Sequence, residues 1–278
     1  MRKLFLVILF LSVIGYAIYK GNTTVGTSSY EVESNRLPAS FDGFKIVQIS
    51  DLHDSLLGEN HSYVVDEIKK VGPQAIFITG DFIDSNRYDL EQSLLIIKEL
   101  QGVAPIYYVT GNHEISTNDT DHIKESLREL GVRVLTDEAD VITSGEGETI
   151  AIGGVEDPLA SSLEDDVAIQ QSITRAFDKV SKDAFKVLLS HRPEQFDTYA
   201  ANKIDLTFSG HAHGGQFRMP GFGGLVSPGE GLFPKLTSGV HEKNGSQLVI
   251  SRGLGNSIMP VRLFNKPEIV AVTLRKNH

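Results

Sequence analysis

Five short segments carry almost all of this chain's metal-ligating side chains: Asp51-Leu52-His53, Gly80-Asp81, Gly111-Asn112-His113-Glu114, Ser190-His191 and Gly210-His211-Ala212-His213. Each follows directly on a run of β-forming residues, at 45–49, 75–79, 106–110, 186–189 and 205–209. In an open α/β sheet, ligands bind in the crevice beyond the carboxyl ends of the strands. Five strands ending in carboxylate, amide or imidazole groups therefore aim those groups at one place. The pattern demands a largely parallel sheet and a site with room for two ions.

The segments between these strands agree. Val64, Val65, Ile68 and Val71 recur at helical spacing and stop at Gly72-Pro73. A second helix is expected from Leu90 to Gln101, and a third, capped by Thr120 or Asp121, runs to Leu130 before Gly131. Strand–loop–helix alternation implies helices covering the faces of a parallel sheet. Further strands are expected at 132–135, 141–143 and 149–152, with another helix over 163–180. The late strands 247–250 and 269–273 suggest a second sheet packed on the first. At 278 residues the chain suffices for one large α/β domain and an appendage.

The appendage is N-terminal. Residues 4–19 are apolar except for Ser12 and Gly15, and Arg2-Lys3 and Lys20 flank them. The run is slightly short for a spanning helix but longer than most signal-peptide cores. Tyr16 and Tyr19 suit a membrane interface and Lys20 can snorkel. Residues 1–20 are read as an uncleaved membrane anchor, the alternative being a signal cleaved near Gly15-Tyr16-Ala17. The positive N-terminal flank keeps that end in the cytoplasm and places the rest, single-pass, outside the cell membrane. A cleaved signal would instead give a secreted protein. Residues 21–40, polar and weakly patterned, read as a tether, and 41–278 as the catalytic domain.

The donor chemistry narrows the function. Asp oxygens with neutral imidazoles suit Mn, Fe or Zn, and the chain has no Cys for disulfides, thiolate sites or thiol nucleophiles. Two adjacent cations need a bridging anion, and Asp81 is the natural candidate. Paired metals clamp the attacking and leaving oxygens of an in-line displacement at phosphorus, although a carbonyl-directed hydrolase could use similar ligands, so the order of the motifs has to decide. A formal charge of −10 argues against a broad grip on nucleic acid. No protein partner is inferred. Taken singly, the blocks have structural explanations, such as a turn at Gly111-Asn112. His211 and His213, alternating along an extended segment, would point one way. Taken together, five of the nine His fall in these blocks, leaving His61, His122, His241 and His278 as surface or structural residues.

The order of the blocks resembles the calcineurin-like metallophosphoesterase superfamily, whose pattern reads D-x-H, G-D-x-x-D, G-N-H-E, a lone H, then G-H-x-H. The matching residues are Asp51 and His53, Gly80 to Asp84, Gly111 to Glu114, His191, and Gly210 to His213. The tail, Ser251 to Gly255 with Pro260-Val261-Arg262 and Pro267-Glu268, is similar to a membrane-anchored bacterial branch, the YkuE- and YaeI-type phosphoesterases. The resemblance implies an α/β/β/α sandwich of two packed sheets, here preceded by one hydrophobic helix. It implies that Asp51, His53, Asp81 and His213 hold one divalent ion and Asp81, Asn112, His191 and His211 the other. His113 would face the substrate and protonate the leaving group, while a metal-bound hydroxide attacks phosphorus in line.

One departure bears on substrate. The phosphoprotein-phosphatase branch continues its second block as G-D-x-x-D-R-G, whereas Ser85 and Asn86 follow Asp84 here. That favours a phosphodiester or related bond over phosphoproteins, with Arg252 or Arg262 as alternative sources of charge. The segment 214–231, rich in Gly and Pro with Phe217, Met219, Phe222, Leu232 and Phe233 in or near it, reads as either a satellite core or an apolar rim near the membrane. The alternative substrates are a lipid-linked sugar nucleotide of the UDP-2,3-diacylglucosamine type, cleaved at its pyrophosphate, or a phosphomonoester.

Overall fold

In a computed structural model of the protein, describing residues 2–219, 223–227, 231–256 and 261–277, two six-stranded sheets share one apolar layer. The first sheet runs β1 (Gly26–Ser34), β16 (Glu268–Lys276), β2 (Lys45–Ile49), β3 (Ala75–Thr79), β4 (Ile106–Val109) and β5 (Arg133–Val134). The second runs β14 (Gly239–Lys243), β15 (Ser246–Ile250), β9 (Leu206–Ser209), β8 (Phe185–Leu189), β7 (Thr149–Gly154) and β6 (Glu138–Thr143). Strands β2 to β5 are parallel to one another, as are β7, β8, β9 and β15. Between β9 and β14 the chain forms two short ribbons, β10 (Arg218–Met219) with β11 (Gly223–Gly224) and β12 (Val226–Ser227) with β13 (Gly231–Leu232).

The two-residue period of each strand sorts its side chains between layers. Ala75 and Phe77 face the layer between the sheets, whereas Ile76 and Ile78 face helices α2 (Ser62–Val71), α3 (Leu90–Leu100) and α5 (Thr120–Glu129). On the other sheet, Phe185, Val187 and Leu189 point inward, and Leu188 packs outward with residues of α6 (Asp165–Ala176) and α7 (Phe196–Ala201). Strands buried on both faces must be apolar almost throughout, which is why these runs lack a polar alternation. The result is the α/β/β/α sandwich, with a separate apolar helix α1 (Arg2–Thr23) at the N-terminus.

Two expectations need correction. Residues 21–40 are not a tether: α1 continues to Thr23, and β1 then pairs in parallel with β16 along its whole length. Only Val32 of β1 is fully buried, so the strand carries the weak apolar signature of a sheet edge. The late strand β16 belongs to the first sheet, antiparallel to β2, because Val270, Val272 and Leu274 fill the inner layer beside Ile46. The second sheet instead takes its late strands from β14 and β15. Phe222 and Pro260 lie outside the described residues.

Candidate metal centre

All five ligand blocks sit just past the carboxyl ends of parallel strands, three from the first sheet (β2, β3, β4) and two from the second (β8, β9). Gln48 ties the two sets together near those ends: its buried Nε2 donates to Thr79 Oγ1 at 2.8 Å and to the Ser209 carbonyl at 2.8 Å. Asp51 spans the sheets in the same way, its carboxylate accepting from the His211 N–H at 3.0 Å.

The ligand atoms form two groups that share one residue. Asp51, His53, Asp81 and His213 present atoms within 4.8 Å of one another, and so do Asp81, His191 and His211. Within them, Asp81 Oδ2 lies 3.1 Å from His191 Nε2 and 3.7 Å from His53 Nε2. His213 Nε2 lies 3.4 Å from Asp51 Oδ1 and 3.0 Å from His53 Nε2. Every one of these side chains is buried. Asn112 opens the short helix α4 (Asn112–Ile115), and its Oδ1 is buried with no hydrogen-bond partner. An orphaned buried acceptor costs about 1–3 kcal/mol, so its retention fits an oxygen placed to meet a cation.

The backbone is bent to serve the cluster. Asp51, His53, Asp81, His211 and His213 all take positive φ, between 47° and 65°. Such conformations cost of order 1–3 kcal/mol each in non-glycine residues and gather at functional sites. The expected extended segment at 211–213 is thus corrected: His211 and His213 converge through left-handed turns, not through strand alternation. Close approach also demands glycine. A Cβ on Gly111 would stand 2.3 Å from Asp81 Oδ1, and one on Gly210 would stand 2.4 Å from Asp51 Oδ2.

Electrostatics prepares most of the imidazoles as neutral donors. Burial lowers His53 to about 3, and burial followed by neighbouring cationic side chains holds His211 and His213 well below the ordinary histidine value. His191 differs: burial opposes its charge, yet the adjoining Asp81 carboxylate outweighs that and lifts it to about 10. Burial likewise opposes ionisation of Asp81, but His191 holds its carboxyl well below the usual range. Asp51 is raised to about 6, chiefly by burial. His191 Nδ1 lies 2.7 Å from the Thr79 carbonyl, which fixes the tautomer with Nε2 turned to the cluster. Buried carboxylates and imidazoles without thiolates make a donor set for Mn, Fe or Zn rather than Ca or Mg.

Several supporting residues escaped the sequence reading. Glu114 is buried and accepts from four backbone N–H groups: Asp81, Gly111, Phe82 and Ile83. It had been visible as the last letter of G-N-H-E, without a role. Asp54 accepts from the N–H groups of Asp84 and Asp89, holding the loop after Asp81. Asp157 grips the Arg192 guanidinium at Nε and Nη2, and Arg192 Nη1 stands 3.1 Å from His211 Nε2. Nothing in the local sequence marks Asp157; Arg192 is marked only by following His191. Arg262 is fully buried, lies 3.2 Å from His213 Nδ1, and otherwise donates to Asn256 and to the carbonyls of Arg252 and Gly255. Arg252 is engaged by Glu268. His113 stacks edge-on against His53, with ring centroids 4.5 Å apart, and its Nδ1 lies 3.1 Å from the Ser85 N–H. His61, outside the blocks, is a buried structural residue hydrogen-bonded to the Gln92 carbonyl.

A family model described as calcineurin-like phosphoesterase matches residues 44–215. An uncharacterized metallophosphoesterase of Bacillus subtilis, YkuE, is 28% identical over 268 residues, covering 95% of this chain and 90% of the relative. An uncharacterized metallophosphoesterase of Aquifex aeolicus is 28% identical over 249 residues, covering 88% of this chain and 90% of its own. A Bos taurus transmembrane protein with a metallophosphoesterase domain is 28% identical, with 95% of this chain matching 60% of that protein. Members of this family use a dinuclear divalent metal centre, which the two groups sharing Asp81 match. Because the family match runs from before the first ligand block to beyond the last, the chain belongs to the calcineurin-like phosphoesterase family and is a metal-dependent phosphohydrolase.

Proposed function

We propose that the protein hydrolyses a phosphodiester or a related phosphate anhydride by in-line displacement at phosphorus. The observation that supports this reading is the carboxylate of Asp81, which is common to both groups of candidate ligands and could therefore serve two cations. Asp51, His53 and His213 would complete one ion's shell, and Asn112, His191 and His211 the other's. Bound there, the ions supply Lewis acidity toward phosphoryl oxygens and lower the pKa of coordinated water.

The chain's own residues do the rest. Ser85 Oγ, 3.1 Å from His113 Nδ1, can accept a hydrogen bond from the protonated ring, and the imidazolium would then pass its Nε2 proton to a departing oxygen. Asp84, its Oδ1 3.7 Å from His113 Nδ1, stabilises the ring whenever it is charged. Arg192, paired with Asp157 and Glu194 and standing beside His211, would add positive charge near a substrate phosphoryl oxygen. Arg252 and Arg262 are engaged as well, by Glu268 and by backbone carbonyls. Arg87, three residues beyond Asp84, is tied to that carboxylate and to the Asn256 carbonyl. The missing arginine at position 85 thus has no replacement from that loop, which favours diesters or anhydrides over phosphoproteins.

A second reading, a lipid-linked pyrophosphate substrate, is favoured by α1. Within residues 3–23 an 18-residue stretch has a mean hydropathy of 2.0 and buries nothing against the domain. Such a helix is long enough to cross a bilayer, and the Arg2-Lys3 end would remain cytoplasmic with the catalytic domain outside. Metal analysis of full-length protein, joined to rates on a monoester, a diester and a lipid pyrophosphate, tests both readings. A clear preference for phosphomonoesters would sink the diester assignment, and indifference to the lipid pyrophosphate would remove the second.

A further inference from the structure

The end of α1 is clamped to the loop that supports the metal cluster. Asn22 Oδ1 accepts from the Arg262 N–H at 2.7 Å, and Asn22 Nδ2 donates to the Arg262 carbonyl at 3.0 Å. The same arginine reaches His213 through its guanidinium, and Asn265, three residues on, donates from Nδ2 to the His213 carbonyl at 2.7 Å. The apolar helix and a proposed metal ligand are therefore held by one segment, 261–265.

That segment also begins an apolar ledge. Leu263 bridges Phe217, Phe217 accepts from the Leu225 N–H at 2.8 Å, and Leu225 accepts from the Phe233 N–H at 2.9 Å. Four backbone segments thus lie side by side, starting from the residue after Arg262. Along them Phe264 is 79% exposed, Leu232 73% and Phe233 67%, with Val226 and Leu263 also on the surface. A large aromatic and aliphatic patch of this kind on a soluble face marks an interaction surface. A groove of about 360 Å³ separates the last turn of α1 from the metal loops, lined by Tyr19, Asn22, Leu56, Tyr63 and Gly255 among others.

We infer that this ledge, led by Phe264, Leu232 and Phe233, is a second membrane-contact surface that inserts into the bilayer carrying α1. What identifies a lipid surface as the occupant is continuity: the Asn22 clamp fixes the ledge to the end of a helix whose apolar window buries nothing among the described residues. Tyr16, Tyr19 and Lys20 mark that end as interfacial. Two attachments, one spanning and one dipping, would hold the domain at a set angle, with the His213 loop beside the headgroups. This would select substrates whose phosphate lies at the lipid–water boundary. The inference rests on the membrane reading of α1 proposed above.

The absence of cysteine allows a direct test on the full chain. Single-cysteine variants Phe10→Cys, Leu232→Cys, Phe264→Cys and Glu146→Cys would each carry an environment-sensitive fluorophore. Glu146 lies in the exposed turn between β6 and β7, at the opposite end of the sheet from the ligand blocks. The proteins are reconstituted in phosphatidylethanolamine–phosphatidylglycerol vesicles and quenched by aqueous iodide or by a nitroxide on the lipid chain. Probes at 232 and 264 should resemble the one at 10, with iodide quenching several-fold weaker than at 146 and clear quenching by the lipid nitroxide. Quenching at 232 and 264 like that at 146, while the probe at 10 is lipid-quenched, would overturn the ledge alone. Iodide access at 10 would overturn the membrane reading and the ledge with it. No turnover is measured, so the result does not depend on the substrate.

Discussion

The carboxylate of Glu114 receives the Asp81 backbone N–H at 3.0 Å, holding in a left-handed turn the residue shared by both ligand groups. Three other N–H groups converge on the same side chain, so the loops after β3 and β4 are joined through one buried carboxyl group.

Glu114→Gln should therefore act through Asp81. The amide keeps one acceptor but turns two N–H donors toward backbone N–H groups, leaving them unpaired. The cost is about 3 kcal/mol, which lowers Tm by roughly 10 °C in a domain of this size. Calorimetry and metal analysis of the variant check this; an unchanged Tm with full metal content would show that the junction is dispensable.

Asp81→Asn should fold and lose metal. A neutral amide oxygen cannot bridge two cations as a carboxylate does, so at least one ion per chain should be absent and turnover abolished. Elemental analysis of purified protein gives the answer. Retention of two ions with a near-normal rate would contradict the bridging role.

His113→Ala should keep its metals while losing activity by about 10²–10⁴-fold, since its proposed work is proton transfer. The loss should shrink on p-nitrophenyl esters, whose leaving group needs no proton. Equal losses for good and poor leaving groups would point to charge stabilisation instead.

Removal of α1 should be tolerated only up to β1. A chain starting at Thr24 keeps β1 and should remain folded without its apolar helix. A chain starting at Ser40 deletes the strand paired with β16 and takes Val32 and Leu37 out of the inner layer. Each buried side chain of this type is worth about 1.5–3 kcal/mol, so the shorter chain should aggregate or melt far lower. Size-exclusion chromatography and thermal melts of the two truncations decide the matter.

The convergence of the candidate blocks was legible in the sequence because each candidate ligand follows its strand within a few residues. Chain proximity then carries the information: Asp51 after β2, Asp81 after β3, His191 after β8. The two-layer helix cover was legible for the same reason, since Val64, Val65 and Ile68 repeat within one helix. Relations between distant segments were not. Strand β1 alternates exposed and half-buried residues and finds its partner some 240 positions away in β16, so it read as a polar tether. Asp157 is bound to Arg192, and Asn22 to Arg262, through contacts no local pattern records. The sequence alone determined which groups gather at the strand ends, because secondary structure and ligand type are local properties. Tertiary structure decided how they are held, through left-handed turns, buried carboxylates and a clamp from the N-terminal helix, because those depend on which surfaces meet when the sheets pack.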